Sequence, residues 1–267
     1  MPLEVFDILW KDYTKQNPSA QAIHDLFTKE NEQVINDHIA FRTFDDPRMN
    51  IEVLSKKFIK LGYVPKGEYK FEDKHLNAIH LEHPSIEQAP RVFISELILS
   101  EFSEEFQNTV KRRINSVGDA YYADPDLIHK GSVWGKPLFT DYQFLRKESE
   151  YAAWLYIHGF RANHFTVSIN ALEKYNTIEK VNQFIKDSGY PMNTTGGEIK
   201  GVPEKFLQQS STLAEMIQME FEEGTYEVPA CFYEFAIRYP EADGQVFSGF
   251  IAANANKIFE STNFREK

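Results

Sequence analysis

Two segments of this chain repeat one another, and the repeat restricts the folds open to it. Asp37-His38-Ile39-Ala40-Phe41-Arg42-Thr43-Phe44 has strand-like alternation, and a helical stretch follows it. Asn163-His164-Phe165-Thr166-Val167-Ser168-Ile169-Asn170 has the same form, again with a helix behind it. Each begins with a polar residue and a histidine. The histidines are 164 − 38 = 126 residues apart, close to half of the 267 residues. Such a repeat predicts a pseudo-symmetric fold in which two like modules meet at a shared site.

The flanking patterns extend the repeat. Ile51, Leu54, Phe58 and Leu61 form one helical stripe over 48–61, and Gly62 ends it. Strands are predicted over 63–72, 76–82 and 91–99. Ile178, Val181, Phe184 and Ile185 mark a second helix over 177–188, ended by Gly189. Residues 193–201 read as a hairpin or mobile loop. Leu213–Phe221 and Ala230–Tyr239 read as strands. Each half reads β-α-β-β-β, neither an alternating β-α chain nor a plain meander. The predicted fold is α+β: two βαβββ modules, 31–100 and 161–245, form a curled mixed sheet around a central metal cavity. N-terminal helices (1–30), a helical insert (101–160, with helices near 103–117 and 140–159) and a closing tail (246–267) complete one functional domain.

Composition excludes several classes of function. Lys and Arg number 29 against 40 Asp and Glu, a net charge of −11, which argues against nucleic-acid binding. The single cysteine, Cys231, rules out an internal disulfide and a CxxC zinc site. A reducing, cytoplasmic setting is the expectation. No signal peptide is visible, and no run approaches the roughly 20 apolar residues of a membrane span, so no membrane partner is expected.

Alternation places His38, Ala40, Arg42 and Phe44 on one strand face and Ile39, Phe41 and Thr43 on the other. In the second repeat His164, Thr166 and Ser168 share a face. If the apolar faces pack on the helices, the two imidazoles point inward and can converge on one ion. Glu234, within the apolar run Cys231–Tyr239, is the favoured third ligand, because a buried carboxylate needs a partner. Two imidazoles and a carboxylate make the facial triad of non-haem Fe(II) oxygenases. Glu96, in the last strand of the first repeat, is the rival carboxylate, and an ion pair of Glu234 with Arg238 is the plain structural alternative. His75, His80, His83, His129 and His158 lie in hairpins, loops or helix ends, where exposure is expected. Arg42 shares a face with His38 and suits a substrate carboxylate.

These residues carry a family resemblance. His38 with Arg42 four residues on, Asn163-His164, the strand holding Glu234 and the segment Phe250–Phe259 resemble the iron-dependent 2-oxoadipate dioxygenase/decarboxylase family, also called 2-hydroxyglutarate synthase. The resemblance implies a vicinal-oxygen-chelate type core and Fe(II) on His38, His164 and Glu234. It implies that Arg42 grips a substrate carboxylate and that Ala253 and Asn254, standing where the family pattern has Val-Ser, close over the far end of the substrate. The implied reaction takes a 2-oxo dicarboxylic acid and O2, releases CO2 and leaves a 2-hydroxy acid, with no separate 2-oxo acid cosubstrate. Two alternatives stay open: a metal-dependent lyase, isomerase or hydrolase on the same core, and a non-catalytic small-molecule binding protein.

Overall fold

The computed structural model describes residues 4–264, so the outermost residues of both predicted terminal segments lie outside the description. Helices α1 (Glu4–Gln16) and α2 (Pro18–Lys29) open the chain, and Pro18 takes the first position of α2. The first module is β1 (Asn36–Phe44), α3 (Ile51–Lys60), β2 (Val64–Phe71), β3 (Leu76–Glu82) and β4 (Arg91–Leu97). Asn50 caps α3 by accepting the Val53 N–H. The insert carries α4 (Glu104–Ile114), α5 (Phe139–Glu148) and α6 (Glu150–His158). One helix over 140–159 was expected, and the structure has two. Ser149 adopts an extended conformation that ends α5, and its side chain accepts the Ala152 N–H to start α6.

The second module is β5 (Ala162–Ser168), α7 (Ile178–Asp187), β6 (Leu207–Ser211), β7 (Met216–Phe221), β8 (Gly224–Pro229) and β9 (Phe232–Arg238). The tail forms α8 (Ala252–Ile258) and a short turn of helix, Phe259–Thr262. Seven strands make one mixed sheet in the order β2-β3-β4-β1-β5-β9-β6. β1 pairs parallel with β4, β5 pairs parallel with β9, and β1 and β5 meet antiparallel at the centre. An approximate two-fold axis therefore runs between β1 and β5, relating β4 to β9 and β3 to β6.

The first module has the expected strand order. In the second, the outermost strand is reduced to the bridge between Lys200 and Gln209. The segment read as a strand over Leu213–Phe221 belongs to a separate hairpin, β7-β8, inserted between β6 and β9. The sheet strand is β6, which the sequence pattern did not reveal. The expected loop 193–201 is fastened down: Asn193 and Lys200 are buried.

One face of the sheet is covered by helices. Trp10 and Tyr13 of α1 pack on Phe165, Phe27 of α2 packs on Phe235, and Phe58 of α3 packs on Phe41. Each such ring contributes roughly 1.5–3 kcal/mol by leaving water. This apolar layer fixes the strand faces, so the alternate residues of β1, β5 and β9 point to the other side. There α8 and its following turn lie against the sheet. Arg238 donates to the Phe247 and Gly249 carbonyls, the Tyr69 hydroxyl accepts the Phe250 N–H, and Arg42 donates to the Thr262 hydroxyl. Among the described residues, no helix is long and apolar enough to cross a membrane.

Candidate metal centre

His38, His164 and Glu234 come together on the inner face, each buried, with one ligand-type atom apiece lying within 4.8 Å of the others. The His164 Nε2 is 3.1 Å from Glu234 Oε2, and the His38 Nε2 is 3.5 Å from Glu234 Oε1. The strand geometry brings this about. His38 lies opposite Thr166 and Ala40 opposite His164 across the β1–β5 seam, while Thr166 is level with Glu234 on β9.

Each ring is aimed by the residue before it. His38 Nδ1 is 2.7 Å from Asp37 Oδ1, and His164 Nδ1 is 3.1 Å from Asn163 Oδ1. Neighbouring residues on a regular strand point to opposite faces, so these contacts need an irregularity. The β1–β5 register slips at Asp37 and again at Asn163, placing one extra residue ahead of each histidine. An Nδ1–H donated to Asp37 or Asn163 leaves the Nε2 lone pair facing the centre.

The electrostatics point the same way. Burial works against the Glu234 charge, but His38, His164 and Gln209 outweigh it and hold the carboxyl below its ordinary range. Burial, only partly offset by Glu234, lowers the His164 imidazole and favours its neutral form. Burial also opposes the Asp37 charge, but Arg238 and His38 hold it well below the usual carboxylate range. Both Nε2 atoms and Glu234 Oε2 thus gather on the inner face; His38 Nε2 is also 3.1 Å from the Thr166 hydroxyl, whereas Glu234 Oε2 has no hydrogen-bond partner. A buried carboxylate oxygen left this way is costly. A divalent cation satisfies all three groups at once, and the donor set suits a first-row metal with positions to spare.

The two alternatives to Glu234 are placed elsewhere in the structure. Arg238 does not pair with it; its Nε and Nη2 instead bind Asp37 at 2.7 and 2.9 Å. Glu96 is not the equivalent carboxylate. His164 is level with Phe232 on β9 and His38 with Arg91 on β4, so two residues further along Glu234 corresponds to Phe93. Glu96 turns to the helix side and accepts the Ile51 N–H at the start of α3. Of the five histidines expected to be exposed, His75, His83 and His129 are half-buried and two are buried. His80 lies between the Tyr69 hydroxyl and Glu82, and His158 is buried with Nε2 on the Pro229 carbonyl.

Arg42 is buried beside Tyr151, Trp154 and Phe259, its guanidinium carbon 4.8, 5.1 and 5.8 Å from the three ring centres. Its Nε and Nη1 have no hydrogen-bond partners, and burial lowers its pKa to about 10. Ala253 is exposed, on the outer side of α8. Asn254 is buried, but its Nδ2 is bonded to the Leu207 carbonyl. The helical period turns Ala255 and Ile258 to the cluster instead, and Phe259 follows them. With Phe93 and Phe250 they close a cavity of about 20 Å³ over the three ligand-type residues.

The model of the 2-oxoadipate dioxygenase/decarboxylase family matches residues 5–125 and 126–244. The chain belongs to that family. The chloroplastic 2-oxoadipate dioxygenase/decarboxylase of Arabidopsis thaliana is 35% identical over 280 aligned residues, covering 96% of this chain and 75% of that protein. The hydroxyglutarate synthase of Oryza sativa, solved in complex with 2-oxoadipate, is 33% identical with a TM-score of 0.91, covering 97% of this chain and 91% of that one. A Shewanella frigidimarina protein described only as a candidate hydrolase is 48% identical with a TM-score of 0.89, over 95% of this chain and 98% of its own. A Ralstonia eutropha JMP134 protein of the glyoxalase superfamily, 21% identical with a TM-score of 0.78, covering 93% of this chain and 85% of its own, shares the curled vicinal-oxygen-chelate fold.

For a 2-oxoadipate dioxygenase/decarboxylase family member, the sequence pattern left three contributors out. Asp37 and Asn163 stood beside the histidines in plain view, but alternation assigns them to the wrong face. Gln209, whose Nε2 donates to Glu234 Oε1 at 2.7 Å, lies on a strand too polar to be seen as one.

Proposed function

We propose that His38, His164 and Glu234 hold one Fe(II) ion and that the protein converts a 2-oxo dicarboxylic acid and O2 to CO2 and a shortened 2-hydroxy acid. The substrate that fits the family best is 2-oxoadipate, giving 2-hydroxyglutarate. The reaction balances without a further reductant, because both oxygen atoms end in the two products. The observation that carries this reading is the unpartnered Glu234 Oε2 facing two imidazoles aimed by Asp37 and Asn163.

Iron bound there supplies the activation of O2 and an anchor for the 2-oxo acid group. The chain's own residues set the conditions. Asp37 and Asn163 hold the two rings through Nδ1 and so direct both Nε2 atoms inward. Arg42 offers two free N–H groups in a buried setting, where a carboxylate makes a strong charge-assisted pair. Phe93, Phe250 and Phe259 keep bulk water off the cluster, which protects reactive oxygen chemistry from solvent.

The decisive experiment is oxygen uptake by protein reconstituted anaerobically with Fe(II). Addition of 2-oxoadipate should consume one O2 and release one CO2 per molecule of 2-hydroxyglutarate. An iron-loaded sample that takes up no O2 with any 2-oxo diacid would remove the dioxygenase reading and leave the lyase or hydrolase alternative.

A further inference from the structure

Gln209 touches the cluster with one end of its amide and leaves the other end free. Its backbone is pinned by a pair of hydrogen bonds to one residue, because Gln209 N–H donates to Lys200 O and Lys200 N–H donates to Gln209 O. From this fixed point the side chain reaches across to β9, and Nε2 donates to Glu234 Oε1 at 2.7 Å. The amide cannot be turned round, since its oxygen would then press on a carboxylate oxygen. The carbonyl Oε1 is therefore the free end. It is buried, has no hydrogen-bond partner, and belongs to a residue lining the cavity over the cluster. The rest of that lining, apart from the three ligand-type residues, is Phe93, Phe250, Ala255, Ile258 and Phe259.

A buried acceptor in an apolar wall calls for a donor in the ligand. A 2-oxo acid anion brings only acceptors to carbon 2, whereas a 2-hydroxy acid brings an O–H there. We propose that Gln209 is a positioning residue with two tasks: its N–H fixes Glu234 so that Oε2 alone is offered to the metal, and its carbonyl accepts the hydroxyl hydrogen on carbon 2 of a bound 2-hydroxy acid. This rests on the proposed function and adds to it: the site recognises its product through a contact that its substrate does not make.

The test compares Gln209→Met with the unmodified protein, both loaded anaerobically, with 2-hydroxyglutarate and 2-oxoglutarate as ligands that differ only at carbon 2. Co(II) or Fe(II) titration reads the first task, and Gln209→Met should weaken metal binding about tenfold, the lower end for residues that orient metal ligands. Competitive binding reads the second, and the variant should lose about fivefold more affinity for the 2-hydroxy acid than for the 2-oxo acid, as expected for one hydrogen bond. A general packing defect would not change that ratio. Equal losses for the two diacids overturn the acceptor assignment, and unchanged metal affinity overturns the Glu234 assignment. If Gln209→Met does not fold, Gln209→Asn, whose amide is too short to bridge, should show the same two effects. Should the unmodified protein bind neither diacid, the substrate reading and the acceptor task fall together, while the metal titration still decides the first task.

Discussion

Asp37 and Asn163 stand in equivalent places behind the two histidines, and only Asp37 can carry a charge. Asp37 is also tied to Arg238 through two hydrogen bonds, and Arg238 in turn holds the Phe247 and Gly249 carbonyls of the tail. The two imidazoles are thus aimed alike but backed differently. His38 has an anion behind it that makes it the stronger donor, while His164 has a neutral amide.

Asp37→Asn should therefore cost more than Asn163→Ala. It leaves Arg238 buried without its counter-charge, a loss of about 3–5 kcal/mol for a broken buried pair. It should also weaken divalent metal binding by about 10- to 100-fold. Asn163→Ala should weaken metal binding by about tenfold with a smaller loss of stability. Urea unfolding and Co(II) titration of both variants check this, and equal stability losses would contradict it.

His38→Ala, His164→Ala and Glu234→Ala should each purify with little iron after reconstitution. Glu96→Ala should keep its iron and lose only the contact at the start of α3, about 1 kcal/mol of stability. Metal analysis after desalting separates the two groups. An iron-free Glu96→Ala sample would reverse the carboxylate assignment.

Arg42 is a buried cation with two unused donors, so stability and binding should move in opposite directions there. Arg42→Met should leave the metal-free protein as stable or more stable, because an apolar residue of similar length avoids the cost of burying the charge. The same variant should lose measurable binding of 2-oxo diacids. Arg42→Lys should raise KM by roughly 100-fold, since an ammonium does not reproduce the planar fork. Calorimetry and steady-state kinetics give both readouts.

His158 should make the fold sensitive to acid. Burial is the main cause that lowers its pKa from 6.5 to about 3, with Arg161 and Arg42 adding to it. The unfolded chain then binds a proton that the native state refuses. Stability from this site is intact above about pH 6.5 and falls as the pH drops from there toward about 3, by up to about 1.4 kcal/mol per pH unit. His158→Gln should flatten the pH dependence by about one proton. Urea midpoints between pH 4.5 and 7.5 would expose a wrong assignment as parallel curves.

The fold was legible where hydrophobic period marks an element. Ile51, Leu54 and Phe58 gave α3, and the alternation around His38 and His164 gave the two central strands and their faces. The site was legible because a histidine recurs at one register in both modules. β6 was hidden because Leu207-Gln208-Gln209-Ser210-Ser211 is buried yet polar: Gln208, Ser210 and Ser211 are satisfied by the distant Tyr239, Asn182 and Ser261, and Gln209 reaches Glu234. The slips at Asp37 and Asn163 follow from pairing between strands far apart in sequence, which no local pattern reports. Glu96 misled because apolar flanks mark a strand interior without saying which face a residue takes. The exposure of Ala253 was not legible, because a position in a helix fixes its side only once the helix is docked.

The seam between β1 and β5 also sets when the three ligand-type residues can meet. Two of the three donors stand on opposite sides of that seam, and the third, Glu234, is contributed late in the chain. A nascent chain that has folded only its first module owns His38 and neither of the other two ligand-type residues. The cluster can therefore assemble only after synthesis has passed residue 234, and α8, which covers it, lies further along the chain. A metal taken up by the cluster would enter most readily between the docking of the two modules and the settling of α8. A cell that slows the last step would keep the apo-site receptive for longer.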